Sequence, residues 1–277
     1  CVQNRVLKNA AVTWDATAQW RPSEDLTAYI SARKGYRSGG FSLRATADAI
    51  GVPFQPEYVR EYEAGLKNSF DIGSGNLSTT IAVFYQNYSN VQKQNAVLIN
   101  GQVSTIIQNT AKQRNYGGEF EASLRLDSGL SASAFYSYVK NEVVSGSNGS
   151  FPMQGIPTHQ IGGALNYERE TGVGTFNANV NATYRSDVQL DEFDVLGLQK
   201  GYALVNARLG LSNIRGTGLG VALWGKNLTD HYYKVGVISL MSNGPVLNGL
   251  NPGGGVGYGA GILGEPRTYG VEVSYKF

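Results

Sequence analysis

The sequence ends in Thr268-Tyr-Gly-Val-Glu-Val-Ser-Tyr-Lys-Phe277, a stretch in which apolar and polar side chains alternate without a break. A period of two predicts a β-strand, because successive side chains of an extended chain point to opposite sides of the sheet. An apolar row about ten residues long with an aromatic at each end is typical of a tilted membrane-spanning strand, although a soluble sheet can show the same alternation. The apolar row consists of Tyr269, Val271, Val273, Tyr275 and Phe277.

The same alternation recurs along the chain, and short turns alternate with long loops between the predicted strands. Residues 21–25 and 71–75 are predicted turns, whereas the predicted long loops are 35–55, 89–106, 141–157, 187–200 and 229–265. Outer-membrane barrels have this layout, with short periplasmic turns and long extracellular loops. We therefore predict an all-β fold, an antiparallel transmembrane β-barrel portion of about 11 strands, each of roughly nine to fourteen residues, with negligible helix.

Composition agrees with strands and turns and excludes several classes of protein. The chain has 36 glycines, 17 tyrosines and only 16% charged residues, against about 25% in a typical soluble domain. The net charge is +2 and the cations are scattered, so no nucleic acid partner is expected. The single cysteine excludes an internal disulfide and a thiolate metal cluster.

An odd number of strands places the start of the first strand and the end of the last strand on opposite sides of a membrane. Bacterial single-chain barrels have an even strand count, with both ends on one side. We therefore expect residues 1–277 to be the C-terminal part of a larger barrel, whose first half and N-terminal domain are missing from this chain.

Four local sequences resemble the C-terminal half of the TonB-dependent receptor barrel and occur in that family's order. They are Arg-Lys-Gly-Tyr-Arg-Ser-Gly-Gly-Phe at 33–41, Tyr-Glu-Ala-Gly-Leu-Lys at 62–67, Lys-Asn-Leu-Thr-Asp at 226–230 and Glu-Pro-Arg-Thr-Tyr-Gly at 265–270. The resemblance implies a barrel of roughly 22 strands, of which this chain forms half, in the outer membrane of a Gram-negative bacterium. It also implies an N-terminal plug, which is missing here.

The function implied by this resemblance is TonB-dependent active transport of a scarce nutrient, foremost a ferric siderophore or a similar chelate, with a vitamin or a sugar also open. The implied partners are outer-membrane lipid, a small-molecule ligand, the barrel-assembly machinery and the TonB complex, the last through the missing N-terminal region. No enzyme activity, cofactor or metal site is expected, since His159 and His231 are far apart and show no ligand spacing. A passive porin and a barrel-borne outer-membrane enzyme remain the alternatives.

Binding residues are disproportionately carried on loops that a rigid scaffold holds in place. Cations suit an anionic ferric chelate, and aromatic rings suit a sugar or a catechol. The candidate ligand-binding residues are therefore Tyr36, Arg37, Phe41 and Arg44 in the first long loop and Tyr232, Tyr233 and Lys234 in the last. The alternative, that these are ordinary rim residues, stays open, as does a girdle role for Tyr36.

Charged residues on the predicted inner face are expected to form cross-strand pairs and to contact the plug. The set includes Glu61, Glu63, Glu119, Glu121 and Arg208. The terminal row Tyr269, Val271, Val273, Tyr275 and Phe277 resembles the signal that the barrel-assembly machinery recognises in nascent outer-membrane proteins. The alternative is that Phe277 is one more aromatic of the membrane girdle.

Overall fold

A computed structural model describes residues 6–42, 53–99, 102–145, 155–191, 197–240 and 258–277. These residues form strands, apart from turns, loops and a single-turn 3-10 helix at Ile214–Gly216. The strands are β1 (Trp14–Ser23), β2 (Leu26–Arg37), β3 (Glu57–Asp71), β4 (Gly75–Ile99), β5 (Gln102–Leu126), β6 (Leu130–Ser145), β7 (His159–Thr171), β8 (Gly174–Arg185), β9 (Val188–Gln189), β10 (Leu198–Gln199), β11 (Tyr202–Ser212), β12 (Leu219–Lys226), β13 (Lys234–Leu240), β14 (Tyr258–Leu263) and β15 (Thr268–Tyr275).

Eleven strands form one antiparallel sheet in the order β1-β2-β3-β4-β5-β6-β7-β8-β11-β12-β15. Two small antiparallel pairs, β9 with β10 and β13 with β14, lie in the connections that follow β8 and β12. The sheet thus confirms the predicted all-β, antiparallel fold of about eleven strands. Within the described ranges, β1 and β15 are its two edges.

The cross-strand register gives the sheet one apolar and one polar face, because directly opposite residues point to the same side. Ala18 pairs with Ile30 and Ile30 with Ala64, while Asp15 pairs with Arg33 and Arg33 with Glu61. Large side chains of the apolar face are more than half exposed, as at Ile30 (63%), Val83 (55%), Leu223 (57%) and Val271 (65%). An apolar surface of this extent is what a lipid-facing barrel wall presents.

No helix within the described residues combines the length and the hydropathy that crossing a membrane requires.

The prediction that residues 89–106 form a loop is wrong. β4 and β5 are 25 residues each and remain paired as far as Ile99 and Gln102. The register shifts between Tyr88 and Val91, where Asn90 has a positive φ of 56°. The pairing continues beyond this bulge because the residues after it are again β-branched and apolar at intervals. The predicted upper strand length of about fourteen residues therefore fails for this hairpin.

The predicted loops 187–200 and 229–265 also contain strand pairs, β9 with β10 and β13 with β14. These strands are only two to seven residues long. A period of two is not recognisable over such short segments, which explains why sequence patterning missed them. Gly259 and Gly261 lie in β14.

Three glycines of the polar face each lie directly opposite an aromatic residue of the neighbouring strand. At each position, a Cβ would come within 2.6 to 2.8 Å of an atom of the ring, so the aromatic side chain lies flat over the glycine backbone. Covering a strand glycine with a cross-strand ring is a known way to stabilise a sheet at such a position. The pairs are Tyr29 with Gly65, Phe135 with Gly162 and Trp224 with Gly270.

Candidate ligand-binding site

Asn227 organises the connection between β12 and β15. The side chain is buried, with 3% exposure. Its Nδ2 donates to the carbonyl oxygens of His231 (2.9 Å) and Glu265 (3.1 Å), and its Oδ1 accepts from the backbone N–H of His231 (2.9 Å). His231 lies at the start of the connection and Glu265 at its end, so one amide holds both ends together. The φ of Asn227 is 47°, a left-handed conformation that asparagine adopts more readily than most residues.

The segment after Asn227 continues the hydrogen bonding of β11 where β12 has ended. The Leu228 N–H donates to the Val205 carbonyl oxygen (2.8 Å), and the Thr229 hydroxyl donates to the Ala203 carbonyl oxygen (3.0 Å). The connection is therefore attached to the sheet before it turns away from it.

Three aromatic rings stack beside this segment. The Tyr233 ring lies 4.6 Å from the Tyr202 ring, and the Tyr202 ring lies 5.5 Å from that of His231. Tyr202 is buried at 7% exposure. Gly264 lies directly against Tyr233, because a Cβ there would overlap the Tyr233 ring, and its N–H donates to the Tyr233 carbonyl oxygen (2.9 Å). Packing from both sides fixes the position of Tyr233.

Beside Tyr233, the polar face contains a cavity of about 370 Å³ at the end where the long connections emerge. Across it, the Lys226 ammonium lies 3.2 Å from the Glu265 carboxylate. Amides, an ion pair and an aromatic ring together can bind an oxygen-rich small molecule through hydrogen bonds and ring contact. The cavity is lined by Asn181, Leu204, Asn206, Lys226, Asn227, Tyr233 and Glu265.

The three asparagines of the cavity belong to a chain of hydrogen bonds that crosses the polar face in one direction. The Asn227 N–H donates to Asn206 Oδ1 (2.9 Å), Asn206 Nδ2 donates to Asn181 Oδ1 (2.8 Å), and Asn181 Nδ2 donates to Asn179 Oδ1 (3.1 Å). Asn179 Nδ2 in turn donates to Asn166 Oδ1. Each amide is oriented by its neighbours, so the donors and acceptors of the cavity wall are preorganised.

The outer edge of the stack is fixed by a short polar contact between the ends of β8 and β11. Lys200 Nζ lies 2.9 Å from Asp187 Oδ2, and the Gly201 N–H donates to Asp187 Oδ1 (2.8 Å). These contacts, that to Lys200 first, hold the pKa of the Asp187 carboxyl below its usual range. The contact sets where β11 begins and therefore where Tyr202 lies.

A second polar cluster lies on the same polar face, toward the β1 edge of the sheet, and extends across β1 to β4. The Arg33 guanidinium contacts the carboxylates of Asp15 (2.8 Å), Glu61 (2.7 Å) and Glu63 (3.2 Å). Tyr29 donates to Glu63, and Gln86 donates to Glu61 (2.6 Å). We call Asp15, Arg33, Glu61 and Glu63 the Arg33 cluster. Three carboxylates share one cation there, so the cluster has a negative charge overall.

The sequence matches the family model described as TonB dependent receptor-like, beta-barrel, over residues 3–228. The chain belongs to this family. Members of the family are receptors of the Gram-negative outer membrane and act in transport rather than as enzymes.

Solved structures of such receptors share the fold. The ferric yersiniabactin uptake receptor FyuA from Yersinia pestis superposes with a TM-score of 0.74 and 19% identity, covering 95% of this chain and 37% of that one. For the ferric-catecholate import receptor Fiu from E. coli K12 the TM-score is 0.64, the identity 20% and the coverage 94% and 34%. The ferripyoverdine receptor of Pseudomonas aeruginosa superposes with a TM-score of 0.66 and 16% identity, covering 96% of this chain and 33% of that one. The chain thus spans between a third and two fifths of the length of these neighbours.

The candidate residues of the last connection lie in different environments in this receptor barrel. Tyr233 lines the cavity, whereas Tyr232 is 76% exposed. The Lys234 Nζ donates to the Leu198 carbonyl oxygen (3.0 Å), and its N–H donates to Gln199 Oε1 (2.8 Å), which joins the connection to β10. Of the three, Tyr233 has the placement that direct ligand contact requires.

The candidates of the first long loop do not form one group in the barrel. Tyr36 lies on the apolar face and stacks on Tyr58 at 6.4 Å between ring centroids, which favours the girdle role. Arg37 lies on the polar face opposite Glu57. Phe41 follows β2 and is half-buried. Arg44 lies outside the described residues.

Sequence reasoning missed most of the cavity wall, namely Asn181, Asn206, Lys226 and Glu265. A signal was present in β8, where Asn177, Asn179 and Asn181 occupy alternate positions of a predicted strand and so share its polar face. Within the described ranges, no group of three or more His, Cys, Asp or Glu side chains is placed to hold a metal ion.

Proposed function

We propose that this chain is part of an outer-membrane receptor that takes up a ferric siderophore, or a chelate of similar chemistry, by TonB-dependent active transport. The observation that carries the proposal is the preorganised cavity beside Tyr233, at the end of the polar face where the long connections emerge. The proposal is supported by the neighbouring structures, which are receptors for ferric yersiniabactin, ferric catecholates and ferripyoverdine.

The cavity chemistry suits such a ligand. Siderophores bind iron through catecholate, hydroxamate or carboxylate oxygens, and their chelates present these oxygens beside rings and amides. Lys226 supplies a cation, Asn206 an oriented amide and Tyr233 a ring face. The volume of about 370 Å³ is at the lower end of the ~300–1,000 Å³ of small-molecule sites. The cavity would therefore hold one arm of a chelate, and the long connections would cover the rest.

The polar face also suits an internal partner with positive charge, such as the plug of the parent receptor. Glu119 and Glu121 are exposed on this face, and neither forms an ion pair within the described part of the chain. The Arg33 cluster adds further negative charge. A basic plug surface facing these carboxylates would be stabilised, because opposite charges inside a barrel are screened less than on an open surface.

The test is uptake of iron-loaded siderophores by cells whose only siderophore receptor is the full-length protein. We expect uptake of at least one chelate class, and we expect an uncoupler of the proton-motive force to stop it. In the same cells, Tyr233→Ala should weaken chelate binding by about tenfold, since a ring contact contributes ~1 kcal/mol beyond the apolar area it buries. Tyr232→Ala is the matched control and should change binding less than about twofold.

Uptake that continues in the presence of the uncoupler would favour the passive porin. Equal losses in Tyr233→Ala and Tyr232→Ala would refute the cavity as the binding site even if energised uptake is observed.

We also propose that the terminal strand is an assembly signal for the barrel-assembly machinery. Val271 and Val273 are 65% and 68% exposed on the apolar face, and the Tyr275 and Phe277 rings contact edge to face at 5.1 Å. β15 is an edge of the sheet within the described residues, so its backbone can add to the edge of another sheet.

Removing Phe277 from the full-length receptor is expected to lower its outer-membrane abundance several-fold, while uptake per assembled receptor stays near normal. Tyr184→Ala is the matched control, because Tyr184 is also an exposed aromatic of the apolar face. Quantitative immunoblotting of outer-membrane fractions measures the difference. Equal abundance of the two variants would support the girdle role for Phe277.

A further inference from the structure

Four cations lie on the apolar face of the sheet, at the end where the long connections emerge. They are placed there by the register: Lys34 lies opposite both Trp14 and Arg60, Arg114 lies opposite Asn87, and Lys140 lies opposite Tyr116. We call Lys34, Arg60, Arg114 and Lys140 the basic row. Because side chains of this face point toward lipid, the row is on the outside of the barrel wall and not on the ligand side.

The basic row is poorly neutralised. Arg60 and Lys140 are exposed, and neither has a hydrogen bond or an ion pair within the described ranges. Arg114 lies over the Tyr85 ring (5.8 Å) and has a long ion-pair contact of 3.8 Å to Glu142, and its buried Nε has no hydrogen-bond partner. Lys34 lies over the Tyr58 ring (5.5 Å). Four cations thus face a single carboxylate, and their hydrogen-bonding capacity is largely unused.

Toward the short turns, at the other end of the same strands, the apolar face has a different charge content. Below the basic row, the apolar face of β2 to β6 carries no charged side chain down to the short turns, within the described residues. The lowest positions of this face on β2 to β6 are Leu26, Phe70, Leu77, Leu126 and Leu130. Positive charge on the lipid-facing wall of these strands is therefore confined to one level of the membrane.

An apolar groove with a volume of about 750 Å³ lies directly below the basic row. Alanines and larger residues line it together. Ala32 and Tyr62 are each two positions along the strand from Lys34 and Arg60, which corresponds to ~7 Å. The apolar-face side chains that line the groove are Ala16, Ala18, Ile30, Ala32, Tyr62, Ala64, Val83 and Tyr85.

We propose that this surface binds a phosphate-bearing lipid of the surrounding leaflet, with an acyl chain in the groove and the headgroup phosphate between Lys34 and Arg60. Charge complementarity identifies the headgroup, since an arginine fork with an adjacent ammonium suits phosphate oxygens. The groove identifies the lipid, because it opens on the face that contacts acyl chains. From β2 to β6 the basic row spans four strand spacings, ~19 Å, so a headgroup with two phosphates can also reach Arg114 or Lys140.

This site goes beyond the proposed transport function and does not depend on its cargo. It would fix the receptor to particular lipids of its leaflet. The strands that it covers include β2 and β3, which carry most of the Arg33 cluster on their opposite face.

The experiment is a lipid titration of the purified, delipidated full-length receptor, followed by native mass spectrometry. The probes are bis-phosphorylated lipid A, the same lipid without phosphates, phosphatidylethanolamine and inorganic phosphate. We expect lipid A to bind more tightly than its dephosphorylated form and than phosphatidylethanolamine. Lys34→Gln combined with Arg60→Gln should weaken lipid A binding about thirtyfold, at roughly a factor of five for each cation lost near a lipid surface.

The matched control is Lys67→Gln combined with Arg125→Gln, which removes the same charge from the polar face and should leave lipid A binding unchanged. Ala32→Trp, which fills the groove, should weaken lipid A binding and leave the binding of inorganic phosphate as it was. Unheated gel mobility confirms that every variant is folded. Equal losses in the two double variants, or equal affinities for lipid A with and without phosphates, would overturn the proposal. Binding of inorganic phosphate as tight as that of lipid A would mean an anion site without lipid specificity and would overturn it too.

Discussion

Asn227→Ala is expected to abolish high-affinity ligand binding by the full-length receptor while the barrel itself stays folded. The substitution removes the bonds to the His231 and Glu265 carbonyl oxygens and those from the His231 N–H and the Thr229 hydroxyl. Each buried group left without a partner costs ~1–3 kcal/mol. Alanine also adopts the left-handed φ of this position less readily, at a further cost of ~1 kcal/mol.

The released connection should also become sensitive to protease. We expect limited proteolysis to cut between residues 228 and 265 in Asn227→Ala at protease concentrations that leave the parent receptor intact, and fluorescence titration to show the loss of chelate binding. Asn76→Ala is the matched control, since the Asn76 side chain is hydrogen-bonded to Ser69 and Ser78 at a short turn far from the cavity. An Asn227→Ala receptor that binds its chelate normally would contradict the anchoring role.

Arg33→Met is expected to cause a large loss of barrel stability. The change leaves the carboxylates of Asp15, Glu61 and Glu63 close together without their shared cation. Breaking a buried ion pair costs ~3–5 kcal/mol, but the Arg33 side chain is 39% exposed, so solvent screening reduces the expected loss to ~2 kcal/mol. Arg33→Lys should lose less stability than Arg33→Met but should still be less stable than the parent receptor, because an ammonium lacks the planar fork that contacts several carboxylates at once.

Unfolding of the full-length receptor in urea, followed by the shift of its unheated gel band, measures this loss. Arg125→Met provides the comparison, since Arg125 lies on the polar face and forms no ion pair within the described ranges; it should change stability by less than ~0.5 kcal/mol. Adding Glu61→Gln to Arg33→Met should restore part of the stability by removing one of the repelling charges. Equal losses in Arg33→Met and Arg125→Met would argue against the cluster as a stabilising element.

The period of two in the sequence was sufficient to predict the strands, their two faces and their approximate number. The same period also places Tyr36 on the apolar face. Ile30 and Ala32 lie on that face, and so does every second residue after them, namely Lys34 and Tyr36. The extension of β4 and β5 was not predictable from this signal, since Gln and Asn residues occur both in loops and in strands beyond the membrane.

The cavity could not be predicted from local patterns. Asn227 contacts the Glu265 carbonyl oxygen, 38 residues further along the chain, and the Tyr233 ring depends on Gly264 having no side chain. Such contacts arise only when both ends of a long connection return to the same place on the sheet. Motif resemblance marked residues 226–230 and 265–270 separately, but it contained no information that one asparagine joins them.

The three aromatic rings that lie flat over glycines determine how much clearance remains inside the barrel. Tyr29, Phe135 and Trp224 occupy separate sectors of the wall, and each would point toward the barrel axis if the glycine opposite it carried a methyl group. A single methyl group added at Gly65, Gly162 or Gly270 is therefore expected to push the opposite ring away from the wall and to narrow the space that the polar face encloses.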